Sequence, residues 1–335
     1  MTCARAVFRC FRTLERVGDR ITGAAGPLFV TLAVVLLSTG TLCFFDIEQP
    51  SLRWPWLTTP ICVLIVFNML MHYYWVCTVS PGFIDDPPRQ GGSDWLWARR
   101  RPTTKGGPLT GVRWSDDVRI TKAMISKCRK CGLPRPERAH HCRICNRCVL
   151  KYDHHCPVLG VNQCVGLHNE RHFILFMVYL VVASFCYVAI GYPSFLEAIG
   201  YHYQPIWPYR VPALAFVLTY ILAGVLSLAV AVMLGWHLWS ISLAETSVES
   251  QDHDHYRKVA KARAETFVNS YDLGKRKNLE LFFNMGRDGY PSYTLLFPFR
   301  VEPYTDGWSW ARREGYERHR GVREGDELTD EEEDD

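Results

Sequence analysis

The apolar positions of this chain gather into four long runs separated by polar stretches. The first is Leu28 to Phe45, ended by Asp46. The second is Leu57 to Val76, with Tyr73-Tyr74-Trp75 near its end. The third is Phe173 to Tyr192, and the fourth, Ala213 to Trp239, carries no charged side chain. None shows the polar stripe at helical spacing that helices of a water-soluble protein need on their outer face. A hydrocarbon layer of ~30 Å takes about 20 helical residues to cross, and each run is close to that length. The pattern predicts an all-α membrane protein with four transmembrane helices, helices 1 and 2 within 27–79 and helices 3 and 4 within 171–240.

Charge placement then suggests an orientation. The net charge of +4 is uninformative alone, but Lys and Arg cluster. Arg5, Arg9, Arg12, Arg16 and Arg20 precede the first run. Arg99, Arg100, Arg101, Lys105, Lys127, Arg129 and Lys130 lie between the second and third, whereas the other connections hold Arg53 and Arg210. Positive loops stay on the cytosolic side, so both termini and the long middle loop are expected there. Trp54, Trp56, Trp207 and Tyr209 fit a luminal aromatic belt, and Trp236 and Trp239 the cytosolic end of the fourth helix. No small-residue cleavage site follows the first run, which reads as a retained span. The expected organisation is a cytosolic segment 1–26, a linker 80–127 rich in Pro, Gly, Arg and Trp, a cysteine-rich domain 128–170, a cytosolic region 241–300, and an acidic, disordered tail 301–335. His72 reads as interfacial, and Cys3 and Cys10 as ordinary thiols.

Of 13 cysteines, seven fall between Cys128 and Cys164. With no secretory signal, they are expected as thiolates in a reducing compartment. The spacing is Cys128-x2-Cys131, His141-Cys142-x2-Cys145-x2-Cys148, Asp153-His154-His155-Cys156, then Cys164. Pairs spaced C-x2-C suit a tetrahedral zinc ion. Two such ions need eight ligands: Cys128, Cys131, His141 and Cys148 make one set, and Cys142, Cys145, His155 and Cys164 the other. Cys156 is then left over beside two histidines and an aspartate, a neighbourhood that activates a thiol. Spacing alone leaves open which of His154 and His155 serves the metal.

These residues resemble the DHHC-type protein S-acyltransferases (palmitoyltransferases). The matching stretches are Cys128-x2-Cys131, Arg135-Pro136-x-Arg138, His141-Cys142-x2-Cys145-x2-Cys148, Asp153-His154-His155-Cys156-Pro157 and Cys164-Val165-Gly166-x2-Asn169. Outside them, Ser80-Pro81-Gly82, Thr246-Ser247-Val248-Glu249 and Asn269-Ser270-Tyr271-Asp272-Leu273-Gly274 with Asn278 are similar to further family motifs, most closely in the ER/Golgi branch. The resemblance implies Cys156 as nucleophile, His154 and Asp153 as its activating pair, His155 as a zinc ligand, four spans with cytosolic termini, and two structural Zn²⁺ ions. Two departures stand out. The family's Trp after Cys-Pro is absent and Val158–Gln163 is about two residues longer than usual; Leu279 stands where an aromatic is usual.

The implied reaction moves a palmitoyl group from acyl-CoA to Cys156 and then to a cysteine of a substrate protein. Acyl-CoA is half lipid and half polyanion, so its thioester belongs near the membrane boundary. Arg135, Arg138 and Lys151 are candidates to face the CoA phosphates, although plain positive-inside topology also accounts for them. Glu249 reads as stabilising its loop. The expected partners are fatty acyl-CoA, proteins with accessible cysteines and the bilayer, with no nucleic acid. The alternative readings are a catalytically impaired zinc-containing membrane adaptor of the same family, a ubiquitin-ligase-type zinc module and a thiol oxidoreductase.

Overall fold

The structure, a computed structural model, describes residues 2–87, 118–157, 160–201, 207–286 and 289–323, and of most residues up to 22 the helical backbone only. The centre of the expected linker, from 88 to 117, and the acidic end from 324 lie outside the described residues.

Among the described residues, four helices are long and apolar enough to cross a membrane, at Gly23–Ser51, Pro55–Thr78, Glu170–Ala198 and Ala213–Ser242. They belong to α1 (Thr2–Cys43, continued by a π-helical turn Phe44–Glu48 and a 3-10 turn Gln49–Ser51), α2 (Pro55–Thr78), α3 (Glu170–Ala198) and α4 (Ala213–Ser242). Each is longer than its apolar run. The first run ends at Asp46 in the sequence, yet the helix continues through it. Asp46 Oδ2 accepts the backbone N–H groups of Arg210 and Val211 at 2.8 and 3.0 Å, so this carboxylate ties the end of α1 to the α3–α4 connection.

Helix α3 packs against both α2 and α4, and α1 against α4. The outer faces are apolar as well: Leu28, Leu32, Ile61, Phe185, Leu214 and Leu228 are all exposed. Such a surface is tolerable in hydrocarbon and would aggregate in water.

Between α2 and α3 the chain forms short antiparallel hairpins. β2 (Ile125–Lys127) pairs with β3 (Pro134–Pro136), β4 (His140–Cys142) with β5 (Arg147–Val149), and β6 (His154–Cys156) with β7 (Gln163–Val165). Hairpins of this size lack the apolar face needed for independent stability, so cross-links must hold them. After α4 come α5 (Ser247–Ala262) and α6 (Lys275–Phe282).

The expectation of a disordered tail from 301 is corrected for residues 301–323. β8 (Ser309–Arg312) pairs with β1 (Arg119–Lys122), Trp310 is fully buried, and Arg312 forms an ion pair with Glu137. The reason is compositional: the acidic run lies beyond 326, whereas 301–323 supplies a tryptophan for the core.

Candidate active site and metal centres

The hairpin register brings the two expected ligand sets together. The donor atoms of Cys128, Cys131, His141 and Cys148 lie within 4.8 Å of one another, and so do those of Cys142, Cys145, His155 and Cys164. In β4–β5, His141 stands opposite Cys148; in β6–β7, His155 stands opposite Cys164. Each C-x2-C pair forms the same turn, with the second cysteine's N–H donated to the first one's Sγ at 3.4 Å. Hairpin β4–β5 serves both sets, its strands giving His141 and Cys148 to one, and the end of β4 and the following turn giving Cys142 and Cys145 to the other.

The spacings suit zinc. A tetrahedral ion with ~2.3 Å metal–sulfur bonds has ligand–ligand edges of about 3.8 Å. Here Cys131 Sγ lies 3.6 Å from Cys148 Sγ, and Cys145 Sγ 3.4 Å from Cys164 Sγ. His155 Nδ1 lies 3.4 to 3.8 Å from the three sulfurs of its set. Two clusters suited to metal ions are therefore built into the hairpins.

Strand β6 separates its two histidines. Successive side chains on a strand point to opposite faces, so His154 and Cys156 share one face and His155 takes the other, toward the metal cluster. On the first face His154 Nδ1 lies 2.7 Å from Asp153 Oδ2, and the ring also interacts with Cys156. Burial works against charge on His154, but the hydrogen bonds and charges of Asp153 and Cys156 outweigh it and raise its pKa to about 10. Burial likewise opposes ionisation of Asp153, yet the hydrogen bond and charge of His154, with His237 and Ser247, hold it well below the usual carboxylate range. Cys156 itself is buried among Tyr73, Val76, Phe173 and Phe176 at the end of the helical bundle.

Comparison with known proteins decides what these residues belong to. A family model described as DHHC palmitoyltransferase matches residues 122–254. The chain is 30% identical over 324 residues to Palmitoyltransferase ZDHHC16 of Mus musculus, covering 91% of this chain and 79% of that one. To the Homo sapiens protein of that name it is 29% identical over 339 residues, covering 91% and 80%. To the Probable protein S-acyltransferase 14 of Arabidopsis thaliana it is 30% identical over 243 residues, covering 69% and 72%. The chain belongs to the DHHC palmitoyltransferase family. Its activity is protein S-palmitoylation.

In this DHHC protein the first turn of α5 anchors Asp153. The Ser247 N–H and hydroxyl donate to Asp153 Oδ1 at 2.6 and 2.7 Å, so the carboxylate faces a helix N-terminus, where negative charge is favoured. Thr246 and Glu249 close a capping box at that terminus. Glu249 also forms a two-pronged, buried ion pair with Arg138, at 2.5 and 2.7 Å, and Arg138 lies 4.3 and 4.6 Å from the ring centroids of Tyr271 and Trp310. Glu249 thus stabilises its loop, by holding the helix that positions Asp153.

The candidate phosphate-facing residues are largely corrected. Arg138 is committed to Glu249, and Lys151 is buried with Nζ 2.5 Å from Glu170 Oε1. Neither presents a free charge to a ligand. Arg135 remains half-exposed on β3. His72 is completely buried within the protein, with Nδ1 3.1 Å from His172 Nδ1.

Sequence reasoning missed His237 on α4. Its Nδ1 lies 3.7 Å from Asp153 Oδ2, and Phe173 meets both His154 and His237 edge-on, at 5.1 and 5.5 Å between ring centroids. The available signal was an ionisable residue alone in an apolar span, which reads as functional by default.

Val158 and Leu159 lie outside the described residues, but the rest of the longer segment is accommodated. The Asn162 N–H donates to Cys156 O at 3.1 Å, closing the hairpin. Gly160, at φ +66°, packs so closely on α1 that a Cβ there would come within 2.8 Å of Ala33 Cβ and Phe29 O. Tyr73 Oη donates to Gly160 O at 3.0 Å. Gly160 is thus seated against α1 and α2, and Cys164 still reaches its cluster. At the other departure, Leu279 is half-buried while Asn278 and Phe282 are the buried residues of α6. Asn278 Nδ2 donates to Ser242 O at 2.8 Å and Asn269 Nδ2 to Leu243 O at 2.9 Å, satisfying carbonyls at the end of α4 that lack helical partners.

Proposed function

We propose that palmitoylation runs through a thioester on Cys156, with His154 as the proton carrier and Asp153 as its orienting partner. In the first half-reaction the Cys156 thiol proton is held on His154 as an imidazolium, the Sγ thiolate attacks the acyl-CoA carbonyl, and the carbon–sulfur bond to CoA breaks. The proton goes to the departing CoA sulfur. In the second, a substrate thiol gives its proton to His154 and attacks the acyl carbon, the bond from that carbon to Cys156 Sγ breaks, and the thiolate–imidazolium pair is restored. The observation that carries this reading is the Asp153–His154 hydrogen bond on the strand face shared with Cys156.

Cys128, Cys131, His141 and Cys148 would hold one zinc ion, and Cys142, Cys145, His155 and Cys164 the other. When bound, the ions supply cross-links for hairpins too small to stand alone. Four protein donors fill a tetrahedral ion and leave no position for a reacting group.

The acyl chain has a place in the bundle. A cavity of about 300 Å³ lies between α1, α2, α3 and α4. Met69 and Leu180 line it and also belong to the apolar cluster that contains Cys156. An acyl group bonded to Cys156 would leave water for these apolar surroundings, a transfer favoured by roughly 0.8 kcal/mol per buried CH₂.

The clustering of Lys and Arg supports cytosolic termini and a cytosolic cysteine-rich region, where acyl-CoA and substrate thiols are available. The ER or Golgi membrane is the proposed compartment, on the resemblance of Glu245-Thr246-Ser247-Val248-Glu249 and of the Asn269-Ser270-Tyr271-Asp272 motif to that branch of the family. The partners are fatty acyl-CoA and proteins with accessible cysteines.

The test is purified protein with labelled palmitoyl-CoA. The parent chain should acquire hydroxylamine-sensitive label, and Cys156→Ala should acquire none. Label retained on the variant at parental level would refute the nucleophile assignment.

A further inference from the structure

Beyond α6 the chain turns back to the helical bundle and lies against α2 and α3. It contributes a short 3-10 turn, Ser292–Leu295, followed by Leu296, Phe297, Pro298 and Phe299. Three successive carbonyls there are each held by a side chain of a spanning helix. Arg171 Nη2 donates to Thr294 O at 2.8 Å, Tyr179 Oη to Leu295 O at 2.6 Å, and Asn68 Nδ2 to Leu296 O at 2.8 Å. Trp75 Nε1 donates to Pro298 O at 3.4 Å, and the Arg300 guanidinium sits 5.2 Å from the Trp75 ring centroid.

These partners fix a depth. Trp75 and Arg300 are residue types that mark a membrane interface. At 1.5 Å per residue, Asn68 lies about 10 Å further into α2 than Trp75, and Tyr179 lies about 13 Å beyond the start of α3. The turn at 293–297 therefore sits below the interface, alongside the apolar part of both helices. Irregular backbone survives at such depth only where protein groups satisfy its polar atoms, and the three carbonyls have such partners. The turn also takes up polar side chains that would be costly against lipid: Asn68 and Arg171, both of which donate to it, are buried. Its outward side is apolar, with Tyr293 41%, Leu296 58% and Phe297 43% exposed.

We propose that residues 291–299 form a re-entrant element inserted into the membrane beside α2 and α3, with Tyr293, Leu296 and Phe297 against lipid hydrocarbon. The continuity of this apolar side with the outer faces of the spans commits the surface to acyl chains of the bilayer. The inference rests on the membrane reading of the helices and is independent of the chemistry at Cys156.

The full chain, reconstituted in phosphatidylcholine vesicles doped with phosphatidylcholine carrying a diazirine on its acyl chain, would be irradiated, digested and mapped for lipid adducts. A parallel sample would be oxidised from the water phase with hydroxyl radicals. Adducts on 291–299 at a level comparable with Leu214–Leu228 are expected, with Tyr293 and Phe297 unoxidised while Leu133, exposed on the turn between β2 and β3, is modified. Span adducts without adducts on 291–299 would overturn the inference. Oxidation of Tyr293 and Phe297 would then mean that they face water, and protection from both probes that a protein partner covers them. Absence of adducts on the spans as well would overturn the membrane reading together with this one.

Discussion

Strand β6 is three residues long, and its alternation gives adjacent histidines different environments. His154 shares a face with Cys156 and hydrogen-bonds to Asp153, while His155 joins Cys142, Cys145 and Cys164. The two should therefore fail differently. His154→Ala is expected to lower the rate of Cys156 acylation by about 10²- to 10⁴-fold, the range for a lost general base, with metal content unchanged. His155→Ala is expected to lower the metal content, read by elemental analysis, from about two ions per chain toward one. A His154 variant that loses metal, or a His155 variant that keeps it, would reverse the assignment. Ser247 acts one step further out. Removing its hydroxyl leaves the backbone N–H on Asp153, so Ser247→Ala should cost about tenfold in rate, the equivalent of one charge-assisted hydrogen bond.

At the scale of elements, the joint between α5 and the hairpins depends on Arg138 and Glu249. Both are buried, and removing one partner of such a pair typically costs about 3–5 kcal/mol. Glu249→Gln should lower the unfolding temperature clearly and loosen Ser247 from Asp153. The pH dependence has a definite sign. Burial alone would raise the Glu249 carboxyl, but the charge and hydrogen bonds of Arg138 outweigh it and depress it from 4.5 to about 2. A depressed carboxyl stabilises the fold fully above its unfolded value and loses that contribution as pH falls toward its folded one. The stability gap between parent and Glu249→Gln should be flat from neutrality down to pH 4.5 and shrink below it. A gap that grew on acidification would refute the pairing.

At the scale of the whole molecule, the bundle and the hairpins meet at Cys156, which belongs to the same apolar cluster as Met69, Phe173 and Leu180. Beyond them lies a cavity of about 300 Å³ between the helices, so its lining should influence which acyl chains fit. Ala183 lines it, and Ala183→Phe should shift preference from sixteen-carbon toward shorter acyl-CoA in competition assays while leaving acylation by the short chains near parental level. Equal loss for all lengths would mean that the chain lies elsewhere.

The sequence by itself determined the four spans, because crossing hydrocarbon needs a run of apolar residues that is visible without knowing any neighbour. It also determined how the cysteines pair and that one thiol is left over, because C-x2-C turns act over a few residues; the side-to-side alternation of strand β6 decided that His155 and not His154 joins a cluster. Only the tertiary structure decided which charges are spent. Arg138 and Lys151 look like surface cations in the sequence, yet Glu249 on α5 and Glu170 on α3 take them into the interior. The packing of α4 on the hairpins brought His237 to Asp153, and β8 drew 309–312 out of a tail that charge alone assigned to solvent. Local spacing is written in consecutive residues. Partnership between separate elements depends on how helices and hairpins pack, and no short window of sequence records it.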